Sequence, residues 1–302
     1  MKFLVILLLC LWVVQSSALT VVTWNLEWFP GGKANSTPEE QQVHMKAAKA
    51  ALKQLNPDVF IGIEMKDESS FKKLISAVPG LKSHVVSNFR VSNNQKGLQQ
   101  IGIASRWPAQ SAWAEPWINV VNKLPRGFSF TALENTNTHK FLMVYGLHLK
   151  SNLNRGKGDK EDQANRASRN ESARQLIIHT ESMEKIYKKE NIEGWVIGGD
   201  FNTNDDGQFA NDHVIANFEE AGFWNTWKNV PKEKRLTWTG KGRYKPTTFD
   251  YILLKGLGKP SAVAPTNFLQ VSDHLPVIVT LSNFSLHKNN PASKKKSEGS
   301  IK

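Results

Sequence analysis

Cysteine is almost absent from this 302-residue chain. The single one, Cys10, falls inside MKFLVILLLCLWVVQSSA, where Lys2 precedes an apolar run from Phe3 to Val14 and small residues stand at Ser16 and Ala18. That pattern reads as a secretory signal peptide cut after Ala18, with an apolar part too short to span a bilayer. The expected mature protein therefore has no thiol, which excludes both disulfide staples and thiolate metal sites. Its stability has to come from an apolar core, which a chain of this length can build. No second long apolar run follows, so no membrane span is expected in the mature protein. Acidic residues are also scarce: 27 Asp and Glu stand against 39 Lys and Arg, for a net charge of +12. Residues 285–302 carry five of the lysines with one glutamate and no apolar periodicity. They read as a basic disordered tail. Without that tail and Lys2 the excess is still +7, a surplus that suits a polyanionic partner and also serves solubility.

No internal repeat or composition break divides residues 19–284, so a single domain is expected there. It opens with LTVVTWNLEWF, a β-branched and aromatic strand. Thr37, Pro38 and Glu40 form a capping box with proline at the first helical position. Val43, Ala47, Ala48, Ala51, Leu52 and Leu55 line one face of the helix behind it. Asn56-Pro57 ends that helix, DVFIGIEM reads as a buried strand, and a second helix is expected over 68–78. Strands follow at SHVVSNFRV, QIGIASR, FSFTALEN and KFLMVYGLHLK. The segment from Lys160 to Lys189 starts polar and becomes helical; EGWVIGGDFN reads as a strand, followed by a short helix over 209–220. TTFDYILL and LPVIVTL complete the strands. Strands and helices interleave without a regular βαβ rhythm, and several neighbouring strands read as hairpins. The expected fold is an α/β domain with two packed, mainly antiparallel sheets flanked by helices, a four-layer sandwich.

Several of these apolar strands begin or end in a residue capable of chemistry. Asn25 follows VVTW, Glu64 follows VFIGI, His148 follows LMVYGL and Asp200 follows WVIGG. Asp250 opens YILL, and Asp273 and His274 precede LPVIVTL. Each one alone has a structural explanation, as a turn former, a helix approach or a satisfied core histidine. Strand ends on one rim of a sandwich converge in space, however, and carboxylates gathered there repel unless a cation sits among them. Within VIGGDFNTND, the strand period of two would put the side chains of Asp200 and Asn202 on one side.

The motifs WNLEW, IGIEMKD, YGLHLKS, GGDFNTN, FDYILL and SDHLPV, running from residue 21 to residue 281, resemble the ordered motif set of the endonuclease/exonuclease/phosphatase superfamily. That group includes deoxyribonuclease I, abasic-site endonucleases, bacterial sphingomyelinases and inositol-polyphosphate phosphatases. The resemblance implies a deoxyribonuclease I-like sandwich and metal-assisted, in-line hydrolysis of a phosphate ester. Asp200 and Asn202 resemble the pair that positions an attacking water and the scissile phosphate. Asn25 and Glu64 resemble ligands of the divalent ion, which Asp273 can join. Their oxygen donors suit Mg²⁺ or Mn²⁺. His274 would face the phosphate with Asp250 fixing its tautomer and charge. His148 resembles the family's second histidine, which attends the leaving oxygen.

The substrate has to be read from what varies around these motifs. His148 stands where the abasic-site branch has tyrosine. The glutamate that partners this histidine in deoxyribonuclease I is missing, with Gln99 and Gln100 the nearest candidates. After His148, the segment SNLNRGKGDKEDQANRASRNESARQ is rich in cations. It reads as a basic loop and helix start in which Arg155, Lys157 and Arg169, with Lys150 just before it, would contact backbone phosphates. The alternative for this stretch is an ordinary solvated surface. AWAEPW, over 112–117, is the one candidate for an exposed apolar hairpin of the kind a sphingomyelinase uses on a membrane. The leading expectation is an exported (secreted or periplasmic) metal-dependent nuclease with DNA or RNA as substrate and no partner protein. Its alternatives are a phosphoesterase on a lipid head group or small phosphate ester, and a catalytically dead binding module. The last would need lost catalytic residues, and every expected position is filled.

Overall fold

The computed structural model describes residues 18–92, 95–118, 126–152, 158–209, 211–242 and 244–282. The expected signal peptide, the basic tail, Arg155 and Lys157 lie outside the described residues.

The chain begins with β1 (Leu19–Phe29), α1 (Pro38–Leu55), β2 (Val59–Met65) and α2 (Glu68–Ile75). Next come β3 (Lys82–Val86), β4 (Arg90–Ser92), β5 (Gln95–Lys96), β6 (Gln100–Ser105) and β7 (Ala109–Pro116). Then follow β8 (Gly127–Asn135), β9 (Lys140–His148), α3 (Asp159–Tyr187) and β10 (Ile192–Asp200). The described chain closes with α4 (Val214–Glu220), β11 (Trp224–Asn225), β12 (Asp250–Lys255) and β13 (Val277–Leu281). A five-stranded sheet has the order β13-β1-β2-β6-β3, and a six-stranded sheet the order β11-β12-β10-β9-β8-β7. Strands β4 and β5 form a separate small hairpin. Each large sheet contains one parallel pair, β1 with β2 and β9 with β10. The other pairings are antiparallel, so the sheets are mixed and mainly antiparallel.

Period-two burial explains the layering. Val21, Ile61, Ile63, Ile101 and Ile103 face Phe128, Phe130, Val144 and Ile197 across the sandwich in one core. The alternate residues Val22, Trp24 and Phe60 form a second core with Ala48, Ala51 and Leu52 of α1 and Phe71 and Leu74 of α2. Helices α3 and α4 bring Ala173, Leu176, Val214 and Phe218 to the six-stranded sheet. Helix α1 starts as its sequence dictates: the Thr37 hydroxyl accepts from the Glu40 amide, the Glu40 carboxylate accepts from the Thr37 amide, and Pro38 opens the first turn. Gly199 is required where β10 meets β9, because at φ +150° a Cβ would stand 2.0 Å from the Leu147 carbonyl oxygen.

Four sequence expectations are corrected. Helix α3 runs from Asp159, so the stretch read as a basic loop and helix start is mostly helix. Asp159, Glu161 and Asp162 in its first turn complement the helix dipole. Helix α4 starts at Val214 rather than near Phe209, and α2 ends at Ile75. SHVVSNFRV splits into β3 and β4 because Gln100 bends the chain. Its Oε1 accepts from the Ser87 hydroxyl and the Phe89 amide, while its Nε2 donates to the Phe89 and Gly97 carbonyls.

Candidate active site

The topology delivers the chemistry-bearing residues to one rim. Parallel pairing aligns the C-terminal ends of β9 and β10, with His148 opposite Asp200. Antiparallel β12 begins where β10 ends, so Asp250 also pairs with Asp200. In the facing sheet the parallel strands β1 and β2 carry Asn25 and Glu64 to the same end, with Asn25 in register with Ile63. The segment before β13 is tied in by backbone bonds: the Leu275 amide donates to the Thr237 carbonyl. The Ser272 hydroxyl donates to the Asn25 carbonyl, and the Trp24 indole to the His274 carbonyl.

Asn25, Glu64, His148, Asp200, Asn202, Asp250 and His274 are all buried, and the hydrogen bonds among them define the site. Nδ1 of His274 lies 2.7 Å from Asp250 Oδ2. Burial by itself would lower the His274 pKa. The charge and hydrogen bond of Asp250, with the charges of Asp200 and Asp273, outweigh it and hold the imidazolium up to about 10. Asp250 is anchored through its backbone, whose amide donates to the Thr237 hydroxyl and whose carbonyl accepts from the Trp227 indole. Desolvation raises Asp200 to about 7, against the pull of the His274 charge and the Asn202 amide. A carboxylate poised near neutrality thus sits beside a buried cation.

The Asn25 side-chain amide donates to both Glu64 Oε1 (3.3 Å) and Asp200 Oδ2 (3.1 Å) and so links the two sheets at the rim. Glu64 sits in left-handed backbone at φ +64°, a conformation a glutamate seldom adopts, with its other oxygen held by the Trp28 amide at 2.8 Å. Such strain clusters where geometry serves function. His148 Nε2 lies 3.4 Å from Asp200 and 3.8 Å from Glu64. Burial, then the cationic Arg126, His274 and Lys150, push its pKa well down and keep it neutral. Neither candidate glutamine serves as its partner. Gln100 is saturated by the Ser87–Gly97 excursion, and Gln99 accepts from Arg126. His148 Nδ1 is buried with no hydrogen-bond partner among the described residues.

Asn202 does not continue the strand period expected from sequence. β10 ends at Asp200, and Asn202 turns into left-handed backbone at φ +52°. Its amide donates to Asp200 Oδ1 at 2.9 Å and its side chain to the Leu149 carbonyl at 3.3 Å. The two residues are therefore joined by a local turn rather than by a shared sheet face. Asp273 is half-buried at the outer edge, where its Oδ2 accepts from the Trp238 indole at 3.0 Å. Lys150 follows His148 closely enough for its charge to act on that imidazole.

Arg169 departs from expectation. It is fully buried in α3 and paired with Asp212, so it is an internal residue rather than a surface contact for phosphate. Two further residues join the rim: Arg126, which lies outside the sequence motifs, and Glu27, which lies within WNLEW. Arg126 precedes β8 and donates to the Leu149 carbonyl, within the fields of Glu64 and Asp200. Glu27 lies among Asp273, Glu64 and Lys241, its pKa raised first by burial. The hairpin of β8 and β9 could have pointed to Arg126, because it sets the start of β8 beside the end carrying His148.

The donor set tests whether a divalent cation fits. Carboxylate oxygens of Asp200 and Asp250 and a ring nitrogen of His274 lie within 4.8 Å of one another, and because Asp250 keeps that ring protonated the donors left for a cation are the carboxylates. Asp250 Oδ1 is buried without a hydrogen-bond partner among the described residues, and Glu64 and Asp200 converge on a single amide group. Buried carboxylates so arranged, all hard oxygen donors, fit a hard divalent ion.

The family model described as Endonuclease/Exonuclease/phosphatase family matches residues 22–274. No curated protein matches the chain by sequence. Among solved structures, a Bacteroides thetaiotaomicron protein of that family is 17% identical, over 90% of this chain and 100% of its own, with a TM-score of 0.64. The human Nocturnin catalytic domain with bound sulfate is 16% identical, over 87% of this chain and 93% of its own, also with a TM-score of 0.64. A Bacteroides thetaiotaomicron mannosyl-6-phosphatase is 16% identical, over 86% and 98%, with a TM-score of 0.57. At these identities the likeness is one of fold.

Proposed function

The chain belongs to the endonuclease/exonuclease/phosphatase family of phosphoester hydrolases, and from that premise we propose that it is an exported, divalent-metal-dependent nuclease acting on DNA or RNA. The observation that carries the chemistry is the buried Asp250–His274 ion pair beside an Asp200 carboxyl raised to about 7. It places a fixed positive charge and a near-neutral base within one site, which in-line attack of water on a phosphodiester requires.

Glu64 and Asn25, joined by Asp273, would hold the ion, and its charge would polarise a phosphate oxygen and offset the carboxylates. Asp200 accepts the proton of the attacking water as its oxygen bonds to phosphorus. The Asn202 carboxamide orients the phosphate. The His274 imidazolium, kept charged by Asp250, stabilises the negative charge growing on the phosphate oxygens. His148, held neutral by burial, presents a hydrogen-bond donor rather than a cation to the leaving oxygen as the ester bond breaks.

The nucleic-acid substrate is supported by the excess of +7 outside the tail and Lys2, and by Arg126 and Lys150 beside His148. Arg155 and Lys157 continue that basic segment in sequence. The one candidate for an exposed apolar membrane hairpin, residues 112–117, lies at the end of β7 against β8 with its tryptophans turned inward. Trp117 is buried, and Trp113 packs on Phe130 and His179. One observation favours a second reading, a phosphoester with an apolar leaving group. A cavity of about 580 Å³ lined by Leu236, Trp238, Val263, Leu269 and Leu275 begins at the residue after His274. Plasmid DNA, RNA and sphingomyelin offered side by side to the mature protein with Mg²⁺ separate the readings: cleavage of either polymer supports the first, and turnover of sphingomyelin alone supports the second.

A further inference from the structure

Arg169 is the largest fully buried cation of the described chain, with 0% exposure for its side chain and for that of Asp212. Taking a guanidinium and a carboxylate out of water costs several kcal/mol per ion unless the geometry is good and further hydrogen bonds are made. Nε donates to Asp212 Oδ2 at 2.8 Å, and Nη2 lies 2.6 Å from the same oxygen. Nη1 turns the other way and donates to the Lys150 carbonyl at 2.8 Å. One side chain of α3 therefore grips two loops: the one leaving β9 at His148 and the one leaving β10 at Asp200.

Those two loops are stitched together at the active-site rim. The Leu149 amide donates to the Asp200 carbonyl at 2.9 Å. The Asn202 side chain donates to the Leu149 carbonyl at 3.3 Å, and the Asn152 side chain donates to the Asn202 carbonyl. Asp212 is held in turn, its Oδ1 accepting from the Val214 amide while the Asn170 side chain accepts from the His213 amide. Arg174, on the same helix, shows the contrast: its side chain is exposed and pairs with Glu171 three residues earlier.

We infer that Arg169 is a positioning residue, a buried clamp joining Lys150 and Asp212 that fixes the Asn202 carboxamide and the end of β10 in their working geometry. Only a planar fork reaches both loops at once. A lysine in its place would keep the charge opposite Asp212 and give up the simultaneous grip on the Lys150 carbonyl. The inference rests on the phosphodiesterase reading for its kinetic consequence, while the clamp itself is a statement about the two loops.

Two variants of the mature chain test it: Arg169→Lys, and the double Arg169→Met with Asp212→Leu, which removes both buried charges together so that neither is left without its counter-ion. The readouts are the melting temperature, kcat and KM on a small chromogenic phosphodiester with Mg²⁺, and amide hydrogen exchange over 148–152 and 200–204. A clamp predicts folded variants whose kcat falls about 10- to 100-fold with KM within about threefold, as misplacement of a reacting group by about 1 Å does. It also predicts exchange in both segments faster by about tenfold or more, an opening of local structure. A folded double variant with wild-type kcat and unchanged exchange overturns the inference, and it decides the matter if Arg169→Lys does not fold. If wild type itself is inert on the phosphodiester, the functional reading fails instead. Exchange then decides alone: faster in the two segments supports the clamp, and unchanged refutes it.

Discussion

Asp250 Oδ2 lies 2.7 Å from Nδ1 of His274, both side chains buried beside Asp200. The pair acts as a unit, because the carboxylate keeps the imidazole charged and in one orientation. Asp250→Asn and His274→Ala are each expected to lower kcat by about 10²-fold or more, and the double variant to lose little beyond the worse single one. Additive losses in steady-state kinetics would show that the residues work independently.

Glu64→Gln keeps an acceptor for the Trp28 amide and removes one negative charge from the site. Activity should fall by about 10²-fold or more with the melting temperature preserved, and excess chelator should do the same to wild type. Full activity of the variant, or of wild type in chelator, contradicts a bound divalent ion.

Acid should loosen the docking of α1. His44 Nδ1 accepts from the Gly31 amide at 2.8 Å, its ring packs edge-on to Phe29, and burial lowers its pKa below the ordinary 6.5. The folded state thus binds its proton more weakly than the unfolded chain, so this contribution to stability shrinks as pH falls below about 6.5 and levels off below the folded-state pKa. His44→Gln can still accept from Gly31 but does not titrate. Its denaturation midpoint should change less between pH 7.5 and 5.5, as buffer conditions, than that of wild type. Equal changes in the two proteins would remove His44 as the cause.

Gly199→Ala should cost stability and activity together. The added Cβ would meet the Leu147 carbonyl oxygen at 2.0 Å, on backbone at φ +150°, so β10 must shift against β9 just before Asp200. Strain of this kind costs about 1–3 kcal/mol or more. A denaturation midpoint equal to that of wild type would show that the strand end tolerates the shift.

Sequence patterning exposes the rim well because β-branched runs end abruptly in Asn25, Glu64, His148 and Asp200, and a strand's polar end is visible without knowing its neighbours. Pairing-dependent features stay hidden. Arg126 becomes a rim residue only once β8 is set antiparallel to β9. In sequence Arg169 is one more charge on a polar segment, and its burial depends on Asp212, which lies far along the chain and pairs with it only after α3 docks. Strand period draws attention to Asp200 and Asn202, yet they are joined by a turn that leaves the strand. Gln100 stands where a histidine partner is expected, whereas its amide is consumed by the bend after β3.

The most direct test of phosphodiester hydrolysis at this rim is the turnover of a small chromogenic phosphodiester with Mg²⁺ by wild type and by Asp200→Asn. The carboxamide would keep the shape and lose the base, and burial already disfavours the charge at this position. Wild type is expected to turn over in a chelator-sensitive way, and the variant to lose about 10³-fold or more in kcat with melting unchanged. A variant that turns over at the wild-type rate would contradict that expectation.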